Sequence, residues 1–507
     1  MPEYADSYPR GIGHLAGDVP ALRAWARASD IDKSAFAYRD GMIFLGASAD
    51  GTLLGLDDNR HCLTVAGSRA GKGVSVIVPN LCLYPGSALV IDPKGENALL
   101  TAARRGVGSP FCEGLGQAVH ILDPFGTVLP HHLQASFNPL SVFDLCSEQT
   151  CELAIDDAAL IADALVTPGG ERESHWDESA RSVLEMLILH VLTTESPESC
   201  TLPRVRQRLM SGDFLDRMQK NDAFDGLIAG AAAALLALGK EERGSILSTA
   251  RRNTKFLDSP AMQRVLETSD FDLGDLKRRP MTLYLCLPAS RLHTHARWLR
   301  LIIGLALALM EREPARPALP VLFLMDEFAA LGKMEVIETA AGLMAGYGVK
   351  LWPILQDLTQ LKRHYRESWE TFLGNAGLHQ FFGNTDLTTL EHVSRRLGKT
   401  HILSVTENEN ERAGQGGQGV SVKADTAPLL NPDEVEYFFA RERQKQMVLI
   451  PGQMPWALRR LSYEDPFFHG KRDWHESLGR PAPPTLEALR ARRDPPKPRG
   501  WGLFGRG

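Results

Sequence analysis

The chain has 507 residues, 44% of them apolar and 23% charged, with a net charge of −6. That length means more than one compact unit, at roughly 100–200 residues each, and the charge excludes a polycation, so any nucleic-acid contact must come from a local patch. The seven cysteines, at positions 62, 82, 112, 146, 151, 200 and 286, form no Cys-x-x-Cys pair, which excludes a zinc ribbon or a disulfide frame and indicates reduced thiols in the cytosol.

The opening MPEYADSYPRGIGHLAGD carries an early acid and no apolar core, so it is not a signal peptide. Residues 1–60 form a lead-in. Within it, 42-MIFLGASADGTLLGL-56 predicts two small strands about Asp50-Gly51, expected to flank the strand that follows and to pack on the edge of its domain. Next comes 62-CLTVAGSRAGKGVSVIVPN-80. An apolar run from Cys62 to Ala66 reads as a buried strand, Gly67-Ser68-Arg69-Ala70-Gly71-Lys72-Gly73 as a small loop, and the apolar residues from Val74 as a helix. Strand, loop and helix in that order make a phosphate site, with loop N–H groups and the helix N-terminus around the anion and Lys72 reaching its terminal groups. The candidate nucleotide contacts are Gly67, Ser68, Arg69, Ala70, Gly71, Lys72, Gly73 and Val74. Two letters depart from G-x-x-x-x-G-K-[ST]: Ala66 holds the first glycine position, and Gly73 the position whose hydroxyl meets magnesium. Taken alone, the stretch also fits an ordinary glycine turn before a helix.

A strand over Ser87 to Ile91 ends in Asp92-Pro93-Lys94-Gly95-Glu96, with a helix from about Asn97. A further strand, 118-AVHILDP-124, also ends in Asp-Pro. Strands alternating with helices predict a parallel α/β sheet. From about Glu148 to Thr268 helical periodicity replaces strands, which predicts an all-α insertion between residues 148 and 270. Strands return at 281-MTLYLCLP-288. The most apolar run, 298-WLRLIIGLALALM-310, carries Arg300 and is too short to cross a bilayer, so it is expected to be a buried helix, and no transmembrane segment is expected. Strands follow at 321-VLFLM-325, 349-VKLWPILQ-356 and 379-HQFFGN-384. Segment 406–425 is polar and glycine-rich and is expected to be a flexible loop. A strand at 446-QMVLIPG-452 is expected to close the sheet, and the Pro-, Gly- and Arg-rich tail to be disordered from about residue 481. The expected units are the lead-in 1–60, a nucleotide domain in two parts (61–147 and 271–465), the insertion 148–270 and the tail 466–507.

Two acids, Asp326-Glu327, end a fully apolar strand, where they are costly without a partner or a task. In a phosphate-loop ATPase the first holds magnesium and the second orients and deprotonates the attacking water. Asp326 is therefore the candidate metal ligand, and Glu327, with Lys72 and Gln356, a candidate catalytic group. The alternative is that the pair caps the next helix. Gln356, at the end of another strand, suits a γ-phosphate sensor or a water-positioning amide. Asp92, Lys94 and Glu96 suit partners of the metal site, an intersubunit contact or a plain loop. Arg69, Arg243, Arg251, Arg252, Arg395 and Arg396 are the candidates for an arginine finger. The histidines, His175, His293 and His295 among them, show no metal spacing.

Several stretches together, 67-GSRAGKGVSVIVPNL-81, 90-VIDPKGEN-97, 121-ILDP-124, 137-FNPL-140, 325-MDEFAALGKM-334, 346-GYGVKLWPILQDLTQL-361, 371-TFLGNAG-377, 381-FFGNTD-386 and 429-LLNPDEV-435, resemble the type IV secretion coupling proteins, the conjugative DNA-transfer ATPases of the TraG/TraD group. The resemblance spans about residues 60–465, and that family also accepts glycine after the loop lysine. It implies a RecA-like α/β domain interrupted by an all-α domain, ATP and Mg2+ as cofactors, and a homo-hexamer with nucleotide at subunit interfaces. The implied partners are single-stranded DNA, a relaxase–DNA complex or secreted protein, and the secretion channel. Members usually begin with a membrane-spanning hairpin. None is read here, so the expected location is the cytoplasm, with peripheral attachment to the inner membrane through a partner. A substrate-recruiting adaptor with a structural nucleotide site, and a FtsK/HerA-like DNA pump, are the alternatives.

Overall fold

The computed structural model describes residues 24–128, 134–143, 148–167, 174–409 and 418–493. In chain order the strands are β1 Ile43–Ala47, β2 Leu53–Leu56, β3 His61–Ala66, β4 Ala88–Asp92, β5 Gly108–Ser109, β6 Cys112–Glu113, β7 Ala118–Leu122, β8 Met281–Cys286, β9 Val321–Met325, β10 Val349–Leu355, β11 Ala376–Phe382, β12 Lys399–Glu409, β13 Gln418–Pro428, β14 Lys445–Leu449 and β15 Trp456–Arg459. Eleven of them form one sheet in the order β2-β1-β15-β14-β11-β3-β10-β9-β4-β8-β7. From β11 to β7 every neighbouring pair is parallel. The strands β3, β4, β8, β9, β10 and β11 are buried at every residue. Such largely apolar, wholly buried runs fit parallel strands covered by helices on both faces, and each fully buried Leu, Val or Phe contributes about 1.5–3 kcal/mol.

Two sequence details set the centre of this sheet. Pro353 in β10 has no N–H to give to a ladder. Pairing of β10 with β9 runs from Val349↔Val321 to Pro353↔Met325, and pairing with β3 begins at Ile354↔Thr64. A buried row of polar side chains crosses the strands as well. Trp352 Nε1 donates to Thr64 Oγ1 (2.9 Å), Thr64 Oγ1 to Gln380 Oε1 (2.7 Å), and Gln380 Nε2 to Gln446 Oε1 (3.1 Å), while Gln446 Nε2 donates to the Leu45 carbonyl. Each member is satisfied by the next, so the row fixes register without leaving a desolvated group unpaired.

Between β7 and β8 the described chain is helical, with helices at Glu148–Leu165, Ser174–Thr194, Leu202–Met210, Phe214–Met218, Leu227–Ala237, Lys240–Asn253 and Pro260–Leu266. The apolar run at 298–310 lies in the buried helix Ala289–Arg312. No helix among the described residues is long and apolar enough to cross a membrane.

Four expectations need correction. The lead-in strands β1 and β2 form the sheet's edge but do not flank β3, because β15, β14 and β11 lie between. The strand at 446–452, here β14, does not close the sheet. It turns the sheet antiparallel, and β15, β1 and β2 continue it. The bend at Pro451-Gly452 (Gly452 φ 84°) turns β15 back against β14 and brings Trp456 into the core. The polar segment 406–425 is largely a two-stranded antiparallel ribbon, β12 with β13, in register from Lys399↔Pro428 to Glu409↔Gln418; its residues 410–417 lie outside the described ones. Pairing between strands meets the backbone's hydrogen-bonding demand there, whatever the side chains. In the tail, Leu486–Arg493 is a helix. The Leu486 N–H donates to the Pro110 carbonyl at 2.8 Å. The remainder of the expected disordered tail, 494–507, lies outside the described residues, as do 1–23 of the lead-in.

Candidate nucleotide site

The loop after β3 is built by close backbone approach. A Cβ on Gly67 would stand 1.8 Å from the Gly383 carbonyl oxygen, so only glycine fits. The Gly67 N–H donates to the Phe382 carbonyl (3.1 Å) and the Ala70 N–H to the Gly67 carbonyl (3.0 Å). Arg69 and Gly71 both take positive φ, 56° and 94°. The chain then enters a π-helical turn, Gly73–Ile77, followed by the helix Val78–Leu83. The expected helix from Val74 is thus present, with a widened first turn of a kind frequent at functional sites. The first N–H groups of such a helix lack partners within it and suit an anion. Nothing lies within 4 Å of a Cβ placed on Gly73, so packing does not require glycine there. The Ser75 hydroxyl is occupied on the inner side of the loop. It donates to the Gly71 carbonyl (2.9 Å) and accepts from Arg460 Nη1 (3.1 Å).

Asp326 and Glu327 leave the end of β9, two strands from β3 with β10 between them. Glu327 takes φ 54°, ψ 40°, and its side chain does not cap the short helix Phe328–Leu331. The helix-cap alternative therefore fails for Glu327. A left-handed non-glycine residue costs on the order of 1 kcal/mol or more, offset here by the contacts its carboxylate makes. Lys72 Nζ lies 2.8 Å from Asp326 Oδ1 and 2.7 Å from Glu327 Oε1. Gln356, at the end of β10, donates from Nε2 to Glu327 Oε2 at 3.1 Å. The Glu327 N–H donates to Asp326 Oδ1 at 3.0 Å. Lys72, Asp326, Glu327 and Gln356 thus form one cluster assembled from three adjacent strand ends. Burial alone would depress the Lys72 ammonium, but the two acids more than offset it and hold its pKa above the usual lysine value. At Asp326 burial prevails over Lys72 and the carboxyl is pushed up.

Asp92, at the end of neighbouring β4, is 1% exposed. Its Oδ2 accepts from the Ala98 N–H (2.9 Å). Burial, then the charge of Asp326, push its carboxyl up to about 7. Lys94 and Glu96 face solvent. Of the finger candidates, Arg69 sits in the loop itself. Arg243 donates to the Leu236 carbonyl and Arg251 to that of Leu209, both in the helical section, and Arg395 donates to a carbonyl of its own helix. No group of three or more His, Cys, Asp or Glu suited to a metal occurs among the described residues.

Two contributors were not singled out from the sequence. Asn384 Nδ2 donates to the Gln356 carbonyl (3.2 Å), fixing the end of β10 from the end of β11. The stretch 381-FFGN-384 stands out in the sequence, but its contacts do not. Arg460 lies behind the loop, and no local pattern pointed to it.

The family model described as "Type IV secretory system Conjugative DNA transfer" matches residues 24–477. Protein VirD4 of Rhizobium radiobacter is 27% identical over 464 residues, covering 87% of this chain and 63% of that protein. Conjugal transfer protein TraG of Escherichia coli is 29% identical over 470 residues, covering 85% and 70%. The chain thus spans roughly two thirds of the length of these relatives. Among solved structures, plasmid coupling protein TrwB with the non-hydrolysable ATP analogue ADPNP gives a TM-score of 0.62 at 14% identity, covering 89% of this chain and 96% of that one. TrwB with ADP and Mg2+ gives 0.61 at 15%, covering 87% and 93%. The fold is accordingly the RecA-like α/β fold of TrwB, and the chain belongs to the type IV secretory system conjugative DNA transfer family.

Proposed function

We propose that the protein is an ATP-driven coupling protein, which brings a relaxase–DNA complex or a protein substrate to a type IV secretion channel and translocates single-stranded DNA. The observation that carries this reading is the Lys72–Asp326–Glu327–Gln356 cluster beside the loop 67–74, in a chain of this family. The acids already hold a cation, Lys72, and Asp326 supplies the hard oxygen that magnesium takes beside phosphates and water. Asp326 therefore fits as the Mg2+ ligand. When bound, Mg2+ neutralises charge that develops on the transferred phosphoryl group. TrwB structures with ADPNP and with ADP plus Mg2+ support the same cofactors.

In this reading Lys72 exchanges its acid partners for the nucleotide's terminal phosphates, which releases Glu327. Residues Gly67 to Val74 hold the phosphates. Glu327 then takes a proton from the attacking water, while Gln356, already bonded to Glu327, orients that water against the γ-phosphate. Hydrolysis drives a homo-hexamer on DNA. The nucleotide domain comprises residues 61–147 and 271–465 with the helical insertion 148–270 between them, and the protein acts on the cytoplasmic side of the inner membrane.

The test is ATP hydrolysis by the purified chain with and without single-stranded DNA. Stimulation by single-stranded DNA is expected, and Lys72→Ala or Glu327→Gln should lower turnover at least about 100-fold. Turnover that survives both substitutions overturns the site. Tight nucleotide binding with negligible wild-type turnover replaces this reading with the adaptor, and a preference for double-stranded DNA replaces it with the FtsK/HerA-like pump.

A further inference from the structure

Arg460 follows β15 and is 3% exposed. Its Nη1 donates to the Ala70 carbonyl (2.7 Å) and to Ser75 Oγ (3.1 Å), both in the loop and its first turn. Nε donates to the Lys445 carbonyl (3.2 Å) and Nη2 to the Arg441 carbonyl (3.3 Å). The guanidinium carbon stands 4.2 Å from the centre of the Phe382 ring. A Cβ on Gly71 would come within 3.3 Å of Nη1, so guanidinium and loop are in contact.

These partners are carbonyls, a hydroxyl and a ring, and none carries a charge. A buried cation is normally paired with an anion, because desolvation costs several kcal/mol. Here burial, unopposed, pushes the guanidinium down to about 10. On the nucleotide reading of the site, the polyphosphate lies on the far side of the loop and is the anion that completes the pair. Low dielectric behind the loop carries the field of Arg460 to that side with little screening. The arrangement also bears on Gly73. The loop lacks the usual hydroxyl at that position, and the nearby Ser75 hydroxyl is held inward by Arg460.

We propose that Arg460 is a positioning residue for the bound polyphosphate: its charge, fixed against the inner side of residues 70–75, shapes the loop and is compensated when phosphate binds opposite. This rests on the nucleotide reading of the site. Lys72 acts in front of the loop and Arg460 behind it, so the two contribute separately.

The experiment is calorimetric titration of the full chain with inorganic tripolyphosphate and with ATP, for wild type, Arg460→Gln and Arg460→Lys. Arg460→Gln is expected to bind both ligands about tenfold more weakly, the size of one charge-assisted contact. Arg460→Lys keeps the charge but loses the fork, and is expected to stay within about threefold of wild type. A merely structural residue would lower the melting temperature in both variants and leave the affinity of the folded fraction unchanged. Wild-type affinity in Arg460→Gln, or a lysine variant as weak as the glutamine variant, overturns the inference. Should Arg460→Gln not fold, Arg460→Met replaces it as the neutral variant, and wild-type affinity in Arg460→Met overturns the inference. A wild-type chain that binds neither ligand overturns the nucleotide reading as well, which separates the two failures.

Discussion

Lys72 is held by two carboxylates, and that pairing defines the ligand-free site. Neither acid is stranded, so the cluster is stable without nucleotide, yet its cation is the group that phosphate must capture. Asp92 nearby has no such cation among the described residues. Its carboxyl is raised from 3.8 to about 7, which means that folding favours the protonated form. Its stabilising effect is complete below about pH 4 and is lost as pH rises through 7. Asp92→Asn keeps an oxygen for the Ala98 N–H and removes the titration. The variant is expected to be more stable than wild type at pH 8 by on the order of 1 kcal/mol, with the gap closing towards pH 4. Thermal melts at pH 4.5, 6 and 8 check this, and parallel curves would refute it.

At the scale of elements, the loop depends on the end of β11 as much as on β3. Gly67 and Gly383 touch through their backbones, and a Cβ on Gly383 would lie 2.5 Å from the Ala70 Cβ. Gly67→Ala must therefore push the two strand ends apart. It is expected to cost about 1–3 kcal/mol and to abolish ATP binding, read by thermal melts and a fluorescent nucleotide. Gly73→Ser meets open space and restores a hydroxyl. It is expected to fold as wild type and to bind Mg2+–ATP at least as tightly. Equal damage from both substitutions would mean that backbone approach does not set the loop. Gln356 depends on its surroundings in a similar way, since Gln360 Oε1 accepts its N–H and Asn384 holds its carbonyl.

Across the whole molecule, the helix Ala289–Arg312 joins the helical section to the site. Buried Arg300 donates to the Leu331 carbonyl (3.0 Å) and the Lys333 carbonyl (2.6 Å), just beyond the acids, and to the Ala164 carbonyl (3.4 Å) in the helix Glu148–Leu165. Arg300→Met leaves three carbonyls unpaired. It is expected to lower stability by about 2–4 kcal/mol and to reduce DNA-stimulated ATP turnover more than nucleotide affinity. An unchanged ratio of stimulated to basal turnover would show that the link carries no signal. The sequence alone determined the parallel strands, the run of helices between them and the places of Lys72, Asp326, Glu327 and Gln356. Asp326 and Glu327 end a wholly apolar run, Gln356 ends a largely apolar one, and Lys72 closes the glycine-bearing loop that follows another; burial on both faces writes the strand pattern locally, as helical periodicity writes the section between. Long-range packing alone makes β14, β15, β1 and β2 extend the sheet antiparallel, pairs 399–409 with 418–428 in a ribbon, and sets Arg460 behind a loop 390 residues away. Those outcomes rest on backbone pairing and on buried charge seeking its partner, and such contacts form between distant segments that leave no periodicity in either one.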